Sequence, residues 1–582
     1  MSDDKQLSPV EHIKLASNYL RGTIADGLAD ELTGSIAEDD TQLTKFHGFY
    51  QQDDRDLRSE RKTSKLEPHY QFMLRLRLPA GVVTGEQWLA IDELAHKYAN
   101  GTLRLTTRQT FQYHGVLKKH LRPLLQAAYQ VGVDARGACG DVNRNVMAGA
   151  HPELSAVHRE VHDWSQRISE HLAWKSRAYE EIFLEQPAAG EDHEPIYGTS
   201  YLPRKFKIAI AVPPENDVDV FANDIGLIAI VDNGELVGFN VAIGGGMGST
   251  HGEPATYPRL GSVIGFATPE ATLAVVEELV KIQRDHGDRE NRKHARFKYT
   301  IDDHGIDWIH EQLDTRAGIR LEPAREYRFD RNGDPLGWRR SDDGRWHLTL
   351  FIENGRIADF DDAGFHRGQY PGPSGYKLMT GLRELAKIHK GHIRLTGNHN
   401  VIIADVDEAD KPAIEELVAH YGLDDGSRYS TLRHSAMACV AFPTCGLAMA
   451  ESERYLPSLI TKFEAVMADA GLSDDSIVVR MTGCPNGCAR PFLGEIGFVG
   501  KAPGKYNLYL GAAHDGSRLN KLYRENIGED EILAELTPII ERYAEERDDG
   551  ESFGDFVVRT GIIAETTEGR FFHDNVGSPE PA

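Results

Sequence analysis

Four of the five cysteines stand in two close pairs near the C-terminal end of the chain. Five residues separate Cys439 from Cys445, and three separate Cys484 from Cys488, within the run Thr-Gly-Cys-Pro-Asn-Gly-Cys. Each pair can bind one side of a metal centre from a single loop, because thiolates are ligands for both iron–sulfur clusters and structural zinc. We therefore predict that these four cysteines hold a metal centre.

The spacing of the cysteines bears on which centre this is. Structural zinc favours paired cysteines about two to four residues apart, so the five-residue gap fits zinc poorly. A 4Fe–4S cluster takes four thiolates, tolerates irregular spacing and often has a proline beside a ligand, as Pro485 is here. Four unconnected buried thiols are the third interpretation. The cluster is favoured, and the lone Cys139 is assigned a structural role without ligation.

Basic side chains stand out because the chain as a whole is acidic. It carries 65 Lys and Arg against 90 Asp and Glu, a net charge of −25, which argues against nucleic acid or an anionic membrane as a partner. Arg75 nevertheless alternates with apolar residues in a strand-like run, and Lys205 and Lys207 fall on one face of another. Such residues usually form a solvated face; a binding pocket for a small anion is the functional alternative.

Periodic patterns predict the elements that position these residues. Strands are predicted at 72–79, 101–112, 346–352 and 391–402, and helices at 88–98, 120–131, 380–389 and 454–470. The elements from 346 to 402 repeat the order of those from 72 to 131, and residues 238–244 resemble 505–511. This predicts two copies of one module related by pseudo-symmetry, with chance similarity of short strands as the alternative.

Length and composition exclude several classes of protein. A chain of 582 residues with 40% hydrophobic and 27% charged residues is typical of a globular protein of about three to five units. No run approaches the ~20 apolar residues that span a bilayer. The first residues carry no signal for export, and five cysteines are too few for a disulfide framework. We expect a soluble, cytoplasmic protein.

Several segments resemble the sirohaem-dependent sulfite and nitrite reductases, and they extend over nearly the whole chain. They are residues 46–56, 104–109, 201–207, 500–504 and the cysteine motif. The resemblance is closest to the haemoprotein of the branch in which a separate flavoprotein delivers electrons from NADPH. It implies an α/β (α+β) fold of three domains, with two ferredoxin-like halves paired by a pseudo-twofold axis and two further domains carrying a duplicated reductase repeat.

The resemblance also implies domain boundaries. They are 1–65 for an N-terminal segment that docks a partner, 66–135 for the first ferredoxin-like half, 136–335 for the first reductase repeat, 336–425 for the second half, 426–565 for the second repeat with the cysteines, and 566–582 for a mobile C-terminal tail.

The functional residues implied by the resemblance fall into three groups. The 4Fe–4S cluster is expected on Cys439, Cys445, Cys484 and Cys488, and Cys488 is expected to bridge to the sirohaem iron as well. The anion pocket is expected at Arg75, Arg144, Lys205 and Lys207. The residues expected near sirohaem are Arg104, Arg108, Gln112, Lys298 and Asn486.

The implied activity is the six-electron, assimilatory reduction of sulfite to sulfide. No Gly-x-Gly-x-x-Gly run opens a helix after a strand, so NADPH, FAD and FMN are expected on a diflavin partner subunit, which residues 17–24 would meet. A ferredoxin-dependent sulfite or nitrite reductase is the alternative, mildly disfavoured because ferredoxins are acidic like this chain. A non-catalytic zinc-binding protein is a remote alternative, and the oligomeric state is left open.

Overall fold

The computed structural model describes residues 6–186, 191–574 and 576. Its strands are β1 (Phe49–Asp53), β2 (Tyr70–Arg75), β3 (Val82–Thr84), β4 (Leu103–Leu105), β5 (Phe111–Val116), β6 (Met147–Ala148), β7 (Ile208–Ala211), β8 (Ile225–Asp232), β9 (Glu235–Ile243), β10 (Ser262–Ala267), β11 (Gly337–Arg340), β12 (Trp346–Leu350), β13 (Arg356–Ile357), β14 (Phe365–His366), β15 (Tyr370–Pro371), β16 (His392–Leu395), β17 (Val401–Val406), β18 (Ala436–Ala438), β19 (Val479–Thr482), β20 (Ile496–Ala502), β21 (Lys505–Leu510) and β22 (Lys521–Ile527).

The α-helices of the described residues are α1 (Pro9–Ala16), α2 (Ile24–Ala29), α3 (Asp40–Leu43), α4 (Arg58–Thr63), α5 (Gly85–Tyr98), α6 (Leu121–Gln130), α7 (Ala156–His171), α8 (Ala178–Phe183), α9 (Pro269–His286), α10 (Phe297–His304), α11 (Ile306–Ala317), α12 (Leu378–Ile388), α13 (Lys411–Tyr421), α14 (Thr431–His434), α15 (Leu456–Asp469), α16 (Glu529–Glu546) and α17 (Phe553–Arg559). None of them combines the length and apolar character needed to span a membrane.

Two antiparallel sheets of five strands exchange an edge strand with each other. One sheet has the order β1-β2-β5-β4-β13 and the other has the order β11-β12-β17-β16-β3. Thus β13, from the second half of the chain, completes the first sheet, and β3, from the first half, completes the second. The helices α5 and α12 pack against each other between the two halves. This reciprocal exchange is the pseudo-twofold pairing that the repeated sequence pattern predicts.

Two further sheets share a second, mixed topology. Their orders are β10-β9-β8-β7-β6 and β18-β19-β20-β21-β22. In each of them the first three strands along the chain are parallel and the last two are antiparallel. The similar segments 238–244 and 505–511 coincide with β9 and β21, which are the fourth strand of their respective sheets. The predicted duplication is therefore confirmed.

The amphipathic patterns explain why the helices form where they do. Helix α5 begins at a capping box. Thr84 Oγ1 accepts from the backbone amide of Gln87, and Gln87 Oε1 accepts from the backbone amide of Thr84. Its buried face includes Trp88, Ile91 and Leu94. Such a pattern is readable from sequence alone, and the four predicted helices agree with α5, α6, α12 and α15 to within a few residues.

Two segments that the sequence predicts as single strands are each divided into two strands. Residues 101–112 and 391–402 each form a hairpin, β4–β5 and β16–β17, and not a single strand. The chain reverses because Gln109 and His399 adopt positive φ angles of 51° and 74°, which an extended strand cannot contain. Both turns lie in runs without an apolar side chain, 106–110 and 396–400, which interrupt the alternation of apolar and polar residues. The sequence therefore held a signal for each turn that the predicted strands did not use.

The prediction of a mobile C-terminal tail is also wrong for residues 566–574, which are described. Phe572 is buried against Phe492 and Tyr509, with ring centroids 5.2 and 5.8 Å away. Lys521 donates to the Asp574 carbonyl at 2.6 Å. Residues 575 and 577–582 of this predicted tail lie outside the described residues.

Candidate active site

The two cysteine pairs meet because their loops follow neighbouring parallel strands. Cys439 comes directly after β18, and Cys484 follows β19, which is parallel to β18. Parallel neighbours end at the same edge of a sheet, so the two loops are held side by side. The Cys439 amide donates to the Met481 carbonyl at 3.1 Å, and the Met449 amide donates to the Gly483 carbonyl at 2.7 Å. The electrostatic influence of each cysteine on the others shows that all four lie in one group.

Polar groups and burial prepare these sulfurs for a positively charged centre. The Gly483 amide donates to Cys439 Sγ at 3.3 Å, and Asn486 Nδ2 donates to Cys484 Sγ at 3.4 Å. Burial, followed by the neighbouring thiols, raises the pKa of Cys445 to about 12 and that of Cys439 further still. Buried thiolates are therefore costly unless a cation neutralises them, which a metal centre does.

The width of the cysteine group favours a cluster over a single metal ion. Among the described residues, no three cysteine sulfurs lie within 4.8 Å of one another. The four sulfurs around one zinc ion would be about 3.8 Å apart, given a Zn–S bond of about 2.3 Å. A centre of several iron and sulfide atoms fills a wider space. Cys488 differs from the other three because it is exposed, so it is the one thiolate free to face a second group.

A loop of the first repeat sheet supports the Cys484–Cys488 loop from the other side. The Ser249 amide donates to the Pro485 carbonyl at 2.9 Å. Gly487 has a φ of +66°, and a Cβ there would lie 3.0 Å from the Met247 carbonyl oxygen, so only glycine suits this close approach. Lys298 Nζ, which is fully buried, donates to the carbonyls of Gly246, Gly248 and Tyr257 and so holds this supporting loop.

A row of polar side chains crosses the first antiparallel sheet from strand to strand. Arg75 of β2 lies opposite Gln112 of β5, Gln112 lies opposite Arg104 of β4, and Arg104 lies opposite Arg356 of β13. Residues directly opposite one another point to the same face of a sheet. With its amide oxygen turned towards Arg75, Gln112 accepts from Arg75 Nη2 at 2.5 Å. The row therefore joins the predicted anion pocket at one end to the cysteine loops at the other.

Glu453 neutralises the two arginines at the cysteine end of this row. Its carboxylate accepts from Arg104 Nε at 2.9 Å and from Arg356 Nε at 2.6 Å, and all three side chains are buried. Arg104 Nη2 also donates to the carbonyl of Ala438, the residue before Cys439, at 2.7 Å. The Glu453 amide donates to the Cys439 carbonyl at 3.0 Å. Burial opposes ionisation of Glu453, yet Arg356 and Arg104 hold its pKa below the usual value.

The other end of the row opens into a group of cations with few acidic neighbours. The charges of Arg75, Arg108, Arg144, Lys205 and Lys207 influence one another, so these residues share one pocket. Burial and the neighbouring cations lower the pKa of Lys205 to about 7, that of Arg108 to about 9 and that of Lys207 well below its usual range. Crowded, desolvated cations of this kind favour the binding of an anion.

Arg75 and Arg144 are fixed beside the fifth cysteine. Arg75 Nη1 donates to Cys139 Sγ at 3.1 Å, and Arg144 donates to the carbonyls of Gly140 at 2.8 Å and Ala138 at 3.2 Å. Cys139 is buried, in keeping with the structural role predicted for it. Cys488 lies near enough to Lys205 and Lys207 for its charge to favour their protonated forms.

The structure thus assembles most of the predicted site residues, although it gives two of them unexpected contacts. The donors of Arg104 are taken by Glu453 and by backbone carbonyls, and Lys298 holds a loop. Contact of either residue with sirohaem stays a prediction, as do the roles of the pocket residues.

The sequence analysis missed several residues that hold the site together. They include Glu453 and Arg356, as well as Arg55, which donates to the carbonyls of Ala448 at 2.6 Å and Cys445 at 3.1 Å. Only Arg55 carried a signal, because it lies in one of the segments singled out by resemblance. Glu453 is an unremarkable glutamate in sequence, and its position between two arginines depends on the strand exchange.

Comparisons with known proteins agree with this architecture. The nitrite and sulphite reductase 4Fe-4S domain matches residues 163–321, and the nitrite/sulfite reductase ferredoxin-like half domain matches 65–131 and 339–421. The first of these matches covers the repeat that lacks the paired cysteines.

Relatives and a solved structure match nearly the whole chain. Proteins named sulfite reductase [NADPH] hemoprotein beta-component are 59% identical in Anoxybacillus flavithermus, covering 97% of this chain and 98% of the relative, and 57% identical in Bacillus subtilis, covering 98% of both. The solved structure of the Mycobacterium tuberculosis NirA protein is 23% identical, with a TM-score of 0.77 over 96% of this chain and 97% of that one, and it shows the same fold.

Replacing Glu453 tests the buried charge group. In Glu453→Gln, two buried arginines would face each other unneutralised, so we expect a loss of about 3–5 kcal/mol in stability, measured by chemical denaturation. Because the pKa of Glu453 is lowered in the fold, its contribution is present above the unfolded value of about 4.3 and disappears as the pH falls through the folded value. Glu453→Gln should therefore lose less stability on acidification than the parent protein.

Glu451→Gln is the matched control for this test. Glu451 lies two residues away and pairs with Arg454, and both side chains are partly exposed. Its loss should cost about 1 kcal/mol or less. Equal effects of the two substitutions would contradict the role assigned to Glu453.

Proposed function

Because the chain belongs to the nitrite and sulfite reductase family, we propose that it is the haemoprotein component of an NADPH-dependent sulfite reductase. It reduces sulfite to sulfide with sirohaem and a 4Fe–4S cluster, using electrons that a diflavin partner subunit takes from NADPH. The observation that carries this proposal is the exposed Cys488, which faces a pocket of crowded cations while the other three cysteines lie deeper.

The residues present suit both prosthetic groups. Cys439, Cys445, Cys484 and Cys488 would hold the cluster, and Cys488 would also bind the sirohaem iron. Sirohaem carries several carboxylates, so the crowded cations of the pocket are the chemistry that its binding requires. Together the two groups supply electrons to an anion bound at the iron.

The pocket residues have two tasks in this reaction. Reduction of SO₃²⁻ to HS⁻ takes up six electrons and seven protons and releases three water molecules. Arg75 and Arg144, which are anchored by backbone carbonyls and by Cys139, would attract and orient the anion through rigid guanidinium groups. The pKa of Lys205 is lowered to about 7, so this lysine can release a proton near neutral pH and regain one from solvent. The pKa of Lys207 is also lowered, by burial and by Lys205.

The remaining predicted residues would act around these four. Arg108 lies among the pocket cations, but its guanidinium is held by Asn223 Oδ1 at 2.9 Å and by the carbonyls of Asn145 and Ile208, so we propose that it acts on bound anions through its charge. Gln112 would orient Arg75. Arg104, Lys298 and Asn486 would hold the cluster loops, and we propose that they affect sirohaem through those loops.

We also propose the domain division 1–65, 66–135, 136–335, 336–425, 426–565 and 566–582, and a cytoplasmic location. The two ferredoxin-like matches fall close to the proposed halves. None of the five cysteines, all of them in the described part of the chain, forms a disulfide, which suits a reducing compartment.

The N-terminal segment is proposed as the docking surface for the flavoprotein. It is not a loose arm: Lys14 Nζ donates to the Leu202 carbonyl at 2.6 Å, and Leu20 is fully buried. Leu15, by contrast, is 49% exposed on this ordered segment and offers an apolar contact. A ferredoxin donor remains the second candidate, because the same fold serves reductases of both kinds.

The bridging thiolate is tested by Cys488→Ser. We expect loss of the coupling between cluster and haem signals in EPR, a changed visible spectrum and a lower content of iron and acid-labile sulfide, because serine is a poor ligand for this centre. Cys139→Ala is the control and should keep the iron and sulfide content of the parent. Unchanged spectra and metal content in Cys488→Ser would rule out the bridge.

Lys205 is tested with two substitutions and steady-state kinetics with a chemical electron donor. Lys205→Met removes the charge and should raise KM for sulfite and lower kcat by about 10²–10⁴-fold. Lys205→Arg keeps the charge but has no labile proton near neutral pH, so kcat should fall while KM is largely kept.

The pH profile separates proton delivery from simple attraction. The protonated lysine is the donor, so activity of the parent should fall as the pH rises through the pKa of Lys205, which is about 7 before anions bind and rises when they do. This alkaline limb should be absent in Lys205→Arg, and the exposed Lys387→Met should change nothing. A normal kcat and an unchanged limb in Lys205→Arg would contradict the assignment.

The electron donor is tested by supplying either a diflavin reductase with NADPH or reduced ferredoxin. We expect rapid sulfite-dependent turnover with the former only. Leu15→Asp should weaken the flavoprotein complex by about tenfold, or about 1.4 kcal/mol, without affecting turnover with a chemical donor. Leu66→Asp changes another exposed leucine and should leave the complex intact. Preference for ferredoxin would favour the second candidate.

A further inference from the structure

A second group of metal-binding side chains lies in the first repeat sheet, at the counterpart of the cysteine position. His151 lies three residues after β6 and Asp217 six residues after β7, in the loops that correspond to those carrying Cys439 and the Cys484–Cys488 pair. In each sheet these loops follow the two neighbouring parallel strands that come first along the chain. Asp334, which precedes β11, completes the group. One potential ligand atom from each of the three residues lies within 4.8 Å of the other two.

The distances within this group suit a single small cation. His151 Nε2 lies 3.2 Å from Asp334 Oδ1. Ligands about 2.0–2.2 Å from a tetrahedral zinc ion are roughly 3.3–3.6 Å apart, close to this separation. His151 and Asp217 are 0% and 2% exposed, and the Asp334 side chain is 1% exposed, so the group is shielded from water.

Each of the three residues is oriented by a further partner. His151 Nδ1 lies 3.1 Å from Glu153 Oε1, the carboxylate–histidine contact that commonly orients a metal-binding imidazole. Asp334 Oδ2 accepts from Thr396 Oγ1 at 2.5 Å and from Asn400 Nδ2 at 2.8 Å.

Asp217 provides independent support, because it has an unused acceptor. Its Oδ2 accepts from the Ala150 amide at 2.9 Å, whereas its Oδ1 is buried and has no hydrogen-bond partner among the described residues. A buried carboxylate oxygen without a partner is costly. A cation bound among the three residues would remove that cost.

Charge balance points in the same direction. Three carboxylates, those of Glu153, Asp217 and Asp334, surround one imidazole that can carry at most one positive charge. The group adjoins the surface at Asp334, which lines a cavity of about 260 Å³ together with Asn398 and Asn400.

We propose that His151, Asp217 and Asp334 bind one divalent transition-metal ion, with Zn²⁺ the best match to one imidazole and two carboxylates. Binding replaces the proton on His151 Nε2, which is released to solvent. Thr396 and Asn400 belong to the turn between β16 and β17, so the ion fastens the first repeat to the second ferredoxin-like half.

The proposal is tested on the purified holoenzyme with Zn²⁺ as the probe. After treatment with a chelator that leaves the iron and sulfide content unchanged, the protein should bind about one zinc ion per chain in equilibrium dialysis, and its thermal midpoint should rise. Glu153→Gln should weaken zinc binding by about 10–100-fold. Asp217→Asn should weaken it at least as much.

The sign of the stability change distinguishes a metal site from a buried ion-pair cluster. Without metal, Asp217→Asn should raise the thermal midpoint, because it removes excess buried negative charge. With saturating Zn²⁺ it should lower the midpoint relative to the parent. Asp303→Asn alters the His294–Asp303 pair and serves as the control, with unchanged binding. Failure to bind stoichiometric zinc, or equal affinity in parent and Asp217→Asn, would overturn the proposal.

Discussion

The structure depends on one buried carboxylate, that of Glu453, which neutralises the neighbouring Arg104 and Arg356. Arg104 and Arg356 lie directly opposite each other where the two halves exchange strands, an arrangement that repels unless a negative charge lies between them. Glu453 supplies that charge from the loop that follows the first cysteine pair. One ion cluster therefore joins the first ferredoxin-like half, the second half and the cysteine-bearing sheet. The same contact thus links the strand exchange to the position of Cys439.

The two mixed sheets share the same backbone geometry at equivalent positions, but the charges of the side chains at those positions differ. Asp219 and Arg490 precede equivalent short turns in the two mixed sheets, and both adopt positive φ angles, 47° and 53°. They are also bonded to each other, and Arg480 Nη1 donates to the same Asp219 oxygen at 2.6 Å. A pair of equivalent positions thus became a complementary ion pair across the pseudo-symmetry axis. The same divergence placed thiolates after β18 and β19 but an imidazole and a carboxylate after β6 and β7.

The helices, the duplication and the cysteine group could be predicted from the sequence, because each depends on local periodicity or on short spacing. The hairpin turns at Gln109 and His399 were missed although each lies in a run without apolar side chains, because such a run does not specify which residue adopts a positive φ and reverses the chain. Nor did the sequence distinguish the arginines by role: Arg75 and Arg104 stand on the same sheet face, yet one borders the cation pocket and the other is neutralised by Glu453. That difference arises from partners hundreds of residues away.

The cation pocket is best understood against the acidity of the whole chain. A net charge of −25 repels sulfite at long range, so attraction has to be generated locally and screened from the surface. Burial does this by removing water from Lys205, Lys207 and Arg108, which strengthens their fields and at the same time lowers their pKa values. The mutual repulsion of these buried cations is unfavourable on its own, and a bound anion reduces that repulsion. Under the proposed function, this unfavourable crowding of cations is what would make the pocket bind anions and deliver protons.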